Sequence, residues 1–344
     1  HTLSRYLDYG AQSAKVAGAD KMKFKDLSRL VISACGTAYL AGLVSKYWFE
    51  KYARLPVDID IASEFRYRET PMSDKDSALF ISQSGETADT LASLRYCKEQ
   101  GAAIGAVVNV PESTIAREAD VVFQTIAGPE IGVASTKAFT CQLAVLAALA
   151  LQAGRERGVL TVEDEKKLVA ELTEVPSLAL KALASEQAIE KLSQPLSQAT
   201  NALYLGRSTS FPLALEGALK LKELSYIHAE GYAAGELKHG PIALIDENIP
   251  VFVIAPYDRI FEKTVSNMQE VAARGGRIIL ITDEKGAGES GNAAQDTVIL
   301  PEMSDIVAPI IYALPVQMIA YHTAVFMGTD VDQPRNLAKS VTVE

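Results

Sequence analysis

The sequence predicts two tandem, doubly wound α/β domains, each built on a parallel sheet, with a short C-terminal tail. Three observations carry this. Apolar runs of strand length alternate with helical patterns, the order expected of parallel sheets. The same order of runs returns after roughly 170 residues, too long a period for a solenoid and suited to duplication of one domain. Runs end on small, polar or glycine-containing turns, where open parallel sheets bind ligands. Residues 1–160 then form the first domain, 161–328 the second, and 329–344 the tail.

Residues 2–25 are amphipathic and read as helical, with Leu3, Tyr6 and Leu7 on one face. The run 30–34 is largely apolar, as in a buried parallel strand. It ends at Cys35-Gly36-Thr37-Ala38, before a helix from 39 to about 51. Further strands are expected at 56–61, 78–81, 103–109 and 121–125, the last followed by a loop at 128–137. The most apolar helix, 138–153, is broken by Gln142 and Gln152; it reads as a core helix too short to span a bilayer. Residues 156–198, charged and alanine-rich, form a helical connection. The plan then repeats: a strand at 201–206, the turn Arg207-Ser208-Thr209-Ser210, a helix, strands at 250–255, 277–282 and 297–300, and an apolar helix at 307–326.

The chain has 344 residues, enough for two cores, and its 48% hydrophobic and 22% charged content reads as a soluble globular protein. A net charge of −10 without a basic cluster argues against nucleic acid as a partner. Cys35, Cys97 and Cys141 make neither a metal spacing nor an even disulfide framework, so a reducing cytoplasm is the expected setting. No signal peptide or membrane segment is expected. The first residue is His1 rather than Met, as in a piece of a longer chain.

Chemistry concentrates in four places. The strand 78–81 runs into Ser82-Gln83-Ser84-Gly85-Glu86-Thr87 and a helix with Leu91, Leu94 and Cys97 on one face. Unpaired N–H groups and the positive end of that helix suit a phosphate; an ordinary capped turn is the alternative. No lysine accompanies the turn as in a P-loop. The second half has Ala255-Pro256-Tyr257-Asp258 at this point, so one anion turn survives. In the helix 213–227, Glu216, Lys220 and Glu223 fall within about 60° of one another, and Lys222 points away. That stripe is either a solvated face with a Glu–Lys pair or a pocket wall with a tuned carboxylate. The stretch 231–241, glycine at 231 and 235 and proline at 241, reads as a shaped loop carrying His239, an acid–base candidate. His228 and His322 read as core residues of apolar helices. In the tail, Pro334, Leu337 and Val341 are expected anchors, and a buried lysine there could form a Schiff base with a ketone.

These residues resemble the sugar isomerase (SIS) family, and within it the isomerase half of the glutamine:fructose-6-phosphate aminotransferases. The resemblance rests on Ala34-Cys35-Gly36-Thr37, on Ala62-Ser63-Glu64-Phe65-Arg66-Tyr67-Arg68, and on residues 82–90, 130–140, 214–223, 235–241 and 330–344. It implies that the full-length enzyme converts fructose 6-phosphate to glucosamine 6-phosphate in amino-sugar biosynthesis, without cofactor or metal. It implies Ser82, Gln83, Ser84 and Thr87 on the sugar phosphate, with Thr37 assisting. Glu223 would move a proton between C1 and C2, and Lys220 would support it at the reacting oxygens. His239 would assist ring opening, and Lys339 would condense with the C2 ketone. Ser135 and the backbone near Val133 and Ala338 would contact the sugar, the tail closing the active site.

A homodimer is also implied, with His239 entering the partner's site. Two departures stand out. Ala38 replaces a serine found in many members, a loss of about one hydrogen bond or ~1 kcal/mol if that hydroxyl reaches the phosphate. Nothing here supplies the N-terminal cysteine of a glutaminase domain, so only isomerisation, of fructose 6-phosphate to glucose 6-phosphate, is expected of these residues. A phosphosugar isomerase that never aminates and a non-catalytic sugar-phosphate sensor are the competing readings; the set Lys220, Glu223, His239 and Lys339 speaks against the sensor.

Overall fold

A computed structural model describes residues 1–342; residues 343–344, the end of the predicted tail, lie outside the described residues. The chain forms two units, one of residues 1–131, 135–173 and 338 onward, the other of 132–134 and 174–337. The division thus differs from the expected one on both sides. Residues 161–173 stay with the first unit because Glu165 accepts from Ala14 N–H at 2.9 Å and pairs with Arg155 at 3.0 Å. The tail is shared: 329–337 belong to the second unit and the chain from Ala338 to the first.

The first unit opens with α1 (Thr2–Tyr6) and a small antiparallel pair, β1 (Leu7–Asp8) and β2 (Ser13–Ala14). The expected helix over 2–25 therefore stops after five residues. Asp8 takes the Ala11 N–H into a turn, and Gln12 and Gly18 adopt positive φ, which ends a right-handed helix. The sheet follows, in the order β4-β3-β5-β6-β7 and wholly parallel. Its strands are β3 (Arg29–Ala34), β4 (Val57–Ile61), β5 (Asp76–Ser82), β6 (Ala103–Val108) and β7 (Val121–Gln124). Between and after them run α2 (Gly36–Tyr52), α3 (Ala62–Phe65), α4 (Ala88–Glu99), α5 (Thr114–Glu118), α6 (Lys137–Glu156) and α7 (Val162–Thr173).

Alternation sorts β5 between two layers. Ala78 and Phe80 pack with Leu94, Cys97 and Ile115 of α4 and α5. On the other face Ile81, with Ile32 and Ile59, crowds Gly42 of α2, where even a Cβ would meet Ile59 at 2.7 Å. Arg157 closes the unit from below by donating to the carbonyls of Phe24, Leu27 and Ala53.

The second unit begins with α8 (Val175–Leu183) and α9 (Glu186–Leu196) and then repeats the plan. Its parallel sheet, ordered β12-β11-β10-β8-β9, consists of β8 (Asn201–Gly206), β9 (His228–Ala233), β10 (Pro250–Ile254), β11 (Arg277–Asp283) and β12 (Asp296–Leu300). The helices are α10 (Ser210–Ser225), α11 (Phe261–Ala272), α12 (Glu284–Glu289) and α13 (Ala308–Met327). Read from β3 and from β8, the two strand orders are the same, as duplication requires.

Helix α6 is longer than expected. It and α13 each have 20 residues and are long and apolar enough to cross a membrane, yet their most apolar stretches are 78% and 61% buried in the protein, as core helices are.

The strand β9 replaces what reads as helix and loop in the sequence. Tyr226 ends α10 in the left-handed conformation, and the chain reverses directly into the sheet edge beside β8. His228 is therefore not a core residue: it starts β9 with its side chain 69% exposed. His322 is buried in α13 as expected. The glycine that suggested a loop, Gly231, is needed because α10 lies against the strand; a Cβ there would sit 2.7 Å from Leu215 N and 2.8 Å from the Ala214 carbonyl. Gly231→Ala should therefore cost about 1–3 kcal/mol. The check is a lower urea midpoint for the second unit at unchanged m, and a wild-type midpoint would refute the close approach.

Candidate active site

In the first unit the chain leaves β3 through α2 toward β4 and later returns on the other side of β3 as β5. Strand order reverses between β3 and β5, whose ends meet at the Ala34–Ile81 pairing. Cys35-Gly36-Thr37 and Ser82 to Thr87 are thereby set side by side at the carboxyl edge of the sheet, the usual ligand position of such folds. Thr90 in α4 donates to Cys35 Sγ at 3.9 Å, linking the two. Burial pushes the Cys35 thiol up, against that bond. Thr37 is buried in the first turn of α2.

The predicted phosphate turn is a network of hydroxyls. Ser82 Oγ accepts from Gly85 N–H at 3.0 Å and lies 3.0 Å from Thr87 Oγ1, and Ser84 Oγ accepts from Glu86 N–H at 3.2 Å. Thr87 occupies the N-cap of α4, but its side chain makes no capping bond. The hydroxyls thus serve the turn, not the helix, so the plain-cap alternative does not describe them. Gln83 is fixed through its carbonyl, which accepts from Asn109 N–H at 3.2 Å. Gly85 has φ +66°, and a Cβ there would lie 1.9 Å from Ser113 Oγ, so only glycine fits.

The tail lies on this turn. Ser340 Oγ is 2.9 Å from Ser84 Oγ, and the Val341 carbonyl accepts from Ala88 N–H, the first of α4, at 3.1 Å. Between Ala338, which is exposed, and Ser340 sits Lys339, whose Nζ is 2.6 Å from Glu130 Oε2. Of the expected anchors, Pro334 is buried, whereas Leu337 and Val341 are 45% and 59% exposed. Polar contacts replace apolar ones because the turn beneath offers hydroxyls and an N–H group. Ser135, half-buried, precedes α6 in the same unit.

The remaining candidates belong to the second unit. On α10, Glu216 and Lys220 are buried at 0% and 1% exposure; Lys220 Nζ is 3.6 Å from Glu216 and hydrogen-bonds Glu223, which is 21% exposed. Lys222 faces solvent. The stripe is an interior ion cluster, so the solvated-face alternative fails. His239 is exposed at the end of a 3-10 helix (Ala234–His239). That helix is held by Leu237 in the core, by Lys238 paired with Glu270 at 2.7 Å, and by Gly235 against the Arg207 guanidinium. Arg207 in turn donates to Asn267. Val133 N–H donates to the Asp332 carbonyl at 2.8 Å, which fixes its backbone. Among the described residues, no group of three or more His, Cys, Asp or Glu side chains could hold a metal ion.

The SIS domain pattern matches residues 23–152 and 195–327, one copy on each sheet. The chain belongs to the SIS domain family. Over 349 aligned residues it is 69% identical to a glutamine–fructose-6-phosphate aminotransferase (isomerizing) of Mesorhizobium japonicum, covering 100% of this chain and 56% of that protein. A Rhizobium meliloti enzyme of the same name is 70% identical over 345 residues, with 100% and 57% covered. The chain thus spans just over half the length of these relatives. A solved C-terminal domain of glucosamine-fructose-6-phosphate aminotransferase from Francisella tularensis superposes with a TM-score of 0.93 at 44% identity, covering 97% of this chain and 93% of that one.

Among the glycines of the first SIS copy, Gly85 combines a positive φ with the shortest Cβ approach. Gly85→Ala should cost more than Ser84→Ala, by about 1–3 kcal/mol, from left-handed strain and the Ser113 clash. Equal urea midpoints for the two variants would contradict that account.

Proposed function

We propose that these residues isomerise fructose 6-phosphate and glucose 6-phosphate, and that in the full-length aminotransferase they receive ammonia and yield glucosamine 6-phosphate. The observation that carries this reading is the 2.9 Å contact of Ser340 with Ser84, which sets Lys339 one residue from the phosphate turn. The names of the relatives favour an aminating enzyme over an isomerase that never aminates.

In this reading Thr37, Ser82, Gln83, Ser84 and Thr87 hold the phosphate, and Ser135, Val133 and Ala338 contact the sugar. His239 assists ring opening. Lys339, once it has given up a proton, adds through Nζ to C2; the C–N bond forms, the carbonyl oxygen leaves as water, and an imine results. In the full-length enzyme ammonia then adds at C2 and the C2–Nζ bond breaks, which frees Lys339 and leaves an imine of ammonia. This imine makes the C1–H more acidic, and Glu223 takes that proton and returns it at C2 while the C1 hydroxyl loses its proton to become the aldehyde. Without ammonia, water restores the ketone and frees Lys339, and Glu223 makes the same C1-to-C2 transfer on the open-chain ketose. Lys220 stabilises charge at the reacting oxygens. The interior ion cluster on α10 supports a proton-transfer role, since a sensor would need only the phosphate turn.

The chain should interconvert the two hexose phosphates slowly without glutamine, and borohydride with fructose 6-phosphate should trap an adduct on Lys339. Mass spectrometry placing the adduct on Lys220 or Lys238 would reassign the imine, and glutamine-dependent glucosamine 6-phosphate from the pure chain would contradict the division of labour. Ser84→Ala should raise KM for the sugar phosphate more than it lowers kcat, because the phosphate is remote from the bonds that change. Equal losses in kcat and kcat/KM would argue that Ser84 acts on the chemistry.

A further inference from the structure

Glu130 has no part in the roles above, yet it is the most heavily engaged carboxylate beside the tail. Its Oε1 accepts from Thr136 N–H at 2.9 Å, from the Thr136 hydroxyl at 3.3 Å and from Ala138 N–H at 3.1 Å, so it closes the first turn of α6. Its Oε2 accepts from Lys339 Nζ at 2.6 Å. The side chain is only 4% exposed, and that of Lys339 is 28% exposed. We propose that Glu130 is the positioning residue of Lys339, a single carboxylate that ties the reactive lysine of the tail to the start of α6. The two oxygens have separate tasks, so the place of Nζ is referred to a rigid 20-residue helix rather than to the tail's own backbone.

Charge agrees with the geometry. Burial alone would raise the Glu130 carboxyl, but Lys339 and the N–H groups of Thr136 and Ala138 outweigh it and hold the carboxyl below its ordinary value. Glu130 thus stays ionised, as holding an ammonium requires. The helix N-terminus favours the same charge.

The inference rests on the imine reading for its catalytic meaning, and the test separates the two. In Glu130→Gln the amide oxygen can still cap α6, but an NH2 then faces the lysine; in Glu130→Ala both contacts go. With sugar absent, acetic anhydride should modify Lys339 several-fold faster in Glu130→Gln than in wild type, read by peptide mass spectrometry. With fructose 6-phosphate, borohydride trapping and kcat should fall roughly tenfold or more, as misplacement of a reacting group predicts, while KM stays within about threefold. Urea midpoints should rank wild type and Glu130→Gln above Glu130→Ala. Unchanged acetylation and trapping in Glu130→Gln would overturn the proposal. So would losses that merely follow the folded fraction, which would leave Glu130 a helix cap. Should wild type itself yield no adduct on Lys339, the imine reading fails, and the acetylation comparison still decides the position of the lysine.

Discussion

The reversal of strand order beside the first strand of each sheet is the constraint on which the rest depends. Parallel strands can be joined only by crossovers. Where two successive crossovers leave in opposite directions, no connection covers the gap at the carboxyl edge. In the first unit that gap lies between β3 and β5, and the chain must deposit the residues after both strands there whatever their side chains. Helices α2 and α4 also start at this edge, so two positive helix ends face it before any cation is considered. A net charge of −10 without a basic cluster thus leaves these helix ends as the positive groups described at this edge.

The second unit has the same reversal and a different edge. After β10 stand Ala255, Pro256, Tyr257 and Asp258 where the first unit has its hydroxyls. Asp283, at the end of β11, takes Tyr257 N–H at 2.7 Å through one oxygen and Gly286 N–H at 2.9 Å through the other. Burial raises the Asp258 carboxyl, with Asp305 adding to it. Carboxylates thus occupy backbone donors at this edge, Asp283 those of Tyr257 and Gly286 and Asp258 that of Ile260. The scaffold recurs, and aspartates stand at this edge where the first unit has hydroxyls.

The sheets were legible in the sequence because buried parallel strands are continuous apolar runs; residues 201–206 match β8 to the residue. What escaped were elements fixed by contacts distant in sequence. Strand β9, with the sequence His-Ala-Glu-Gly-Tyr-Ala, is poor in strand formers and is a strand only because β8 offers an edge and α10 tolerates Gly231. The opening helix failed at Asp8, a local turn that amphipathic spacing conceals. The face shared by Glu216, Lys220 and Glu223 followed from helical spacing, but their burial did not, since the layer above a helix is not written in its own sequence. Glu130 carried no local signal either: it caps a helix that starts seven residues later and pairs with a lysine 209 residues away.

The tail shows how small terms decide. Ordering a residue costs about 1–2 kcal/mol in backbone entropy, and a typical hydrogen bond returns only about 0.5–1.5 kcal/mol net. Among their contacts, residues 338–342 make a hydroxyl contact, a backbone bond and an ion pair, and Val341 is exposed. These two neutral bonds return less than the ordering of five residues costs. The Lys339–Glu130 pair is the charge-assisted contact of the tail, with the Glu130 carboxyl held below its ordinary value by Lys339 together with the α6 N–H groups. The hydroxyl contact is thus the weaker hold of the tail and the ion pair the stronger.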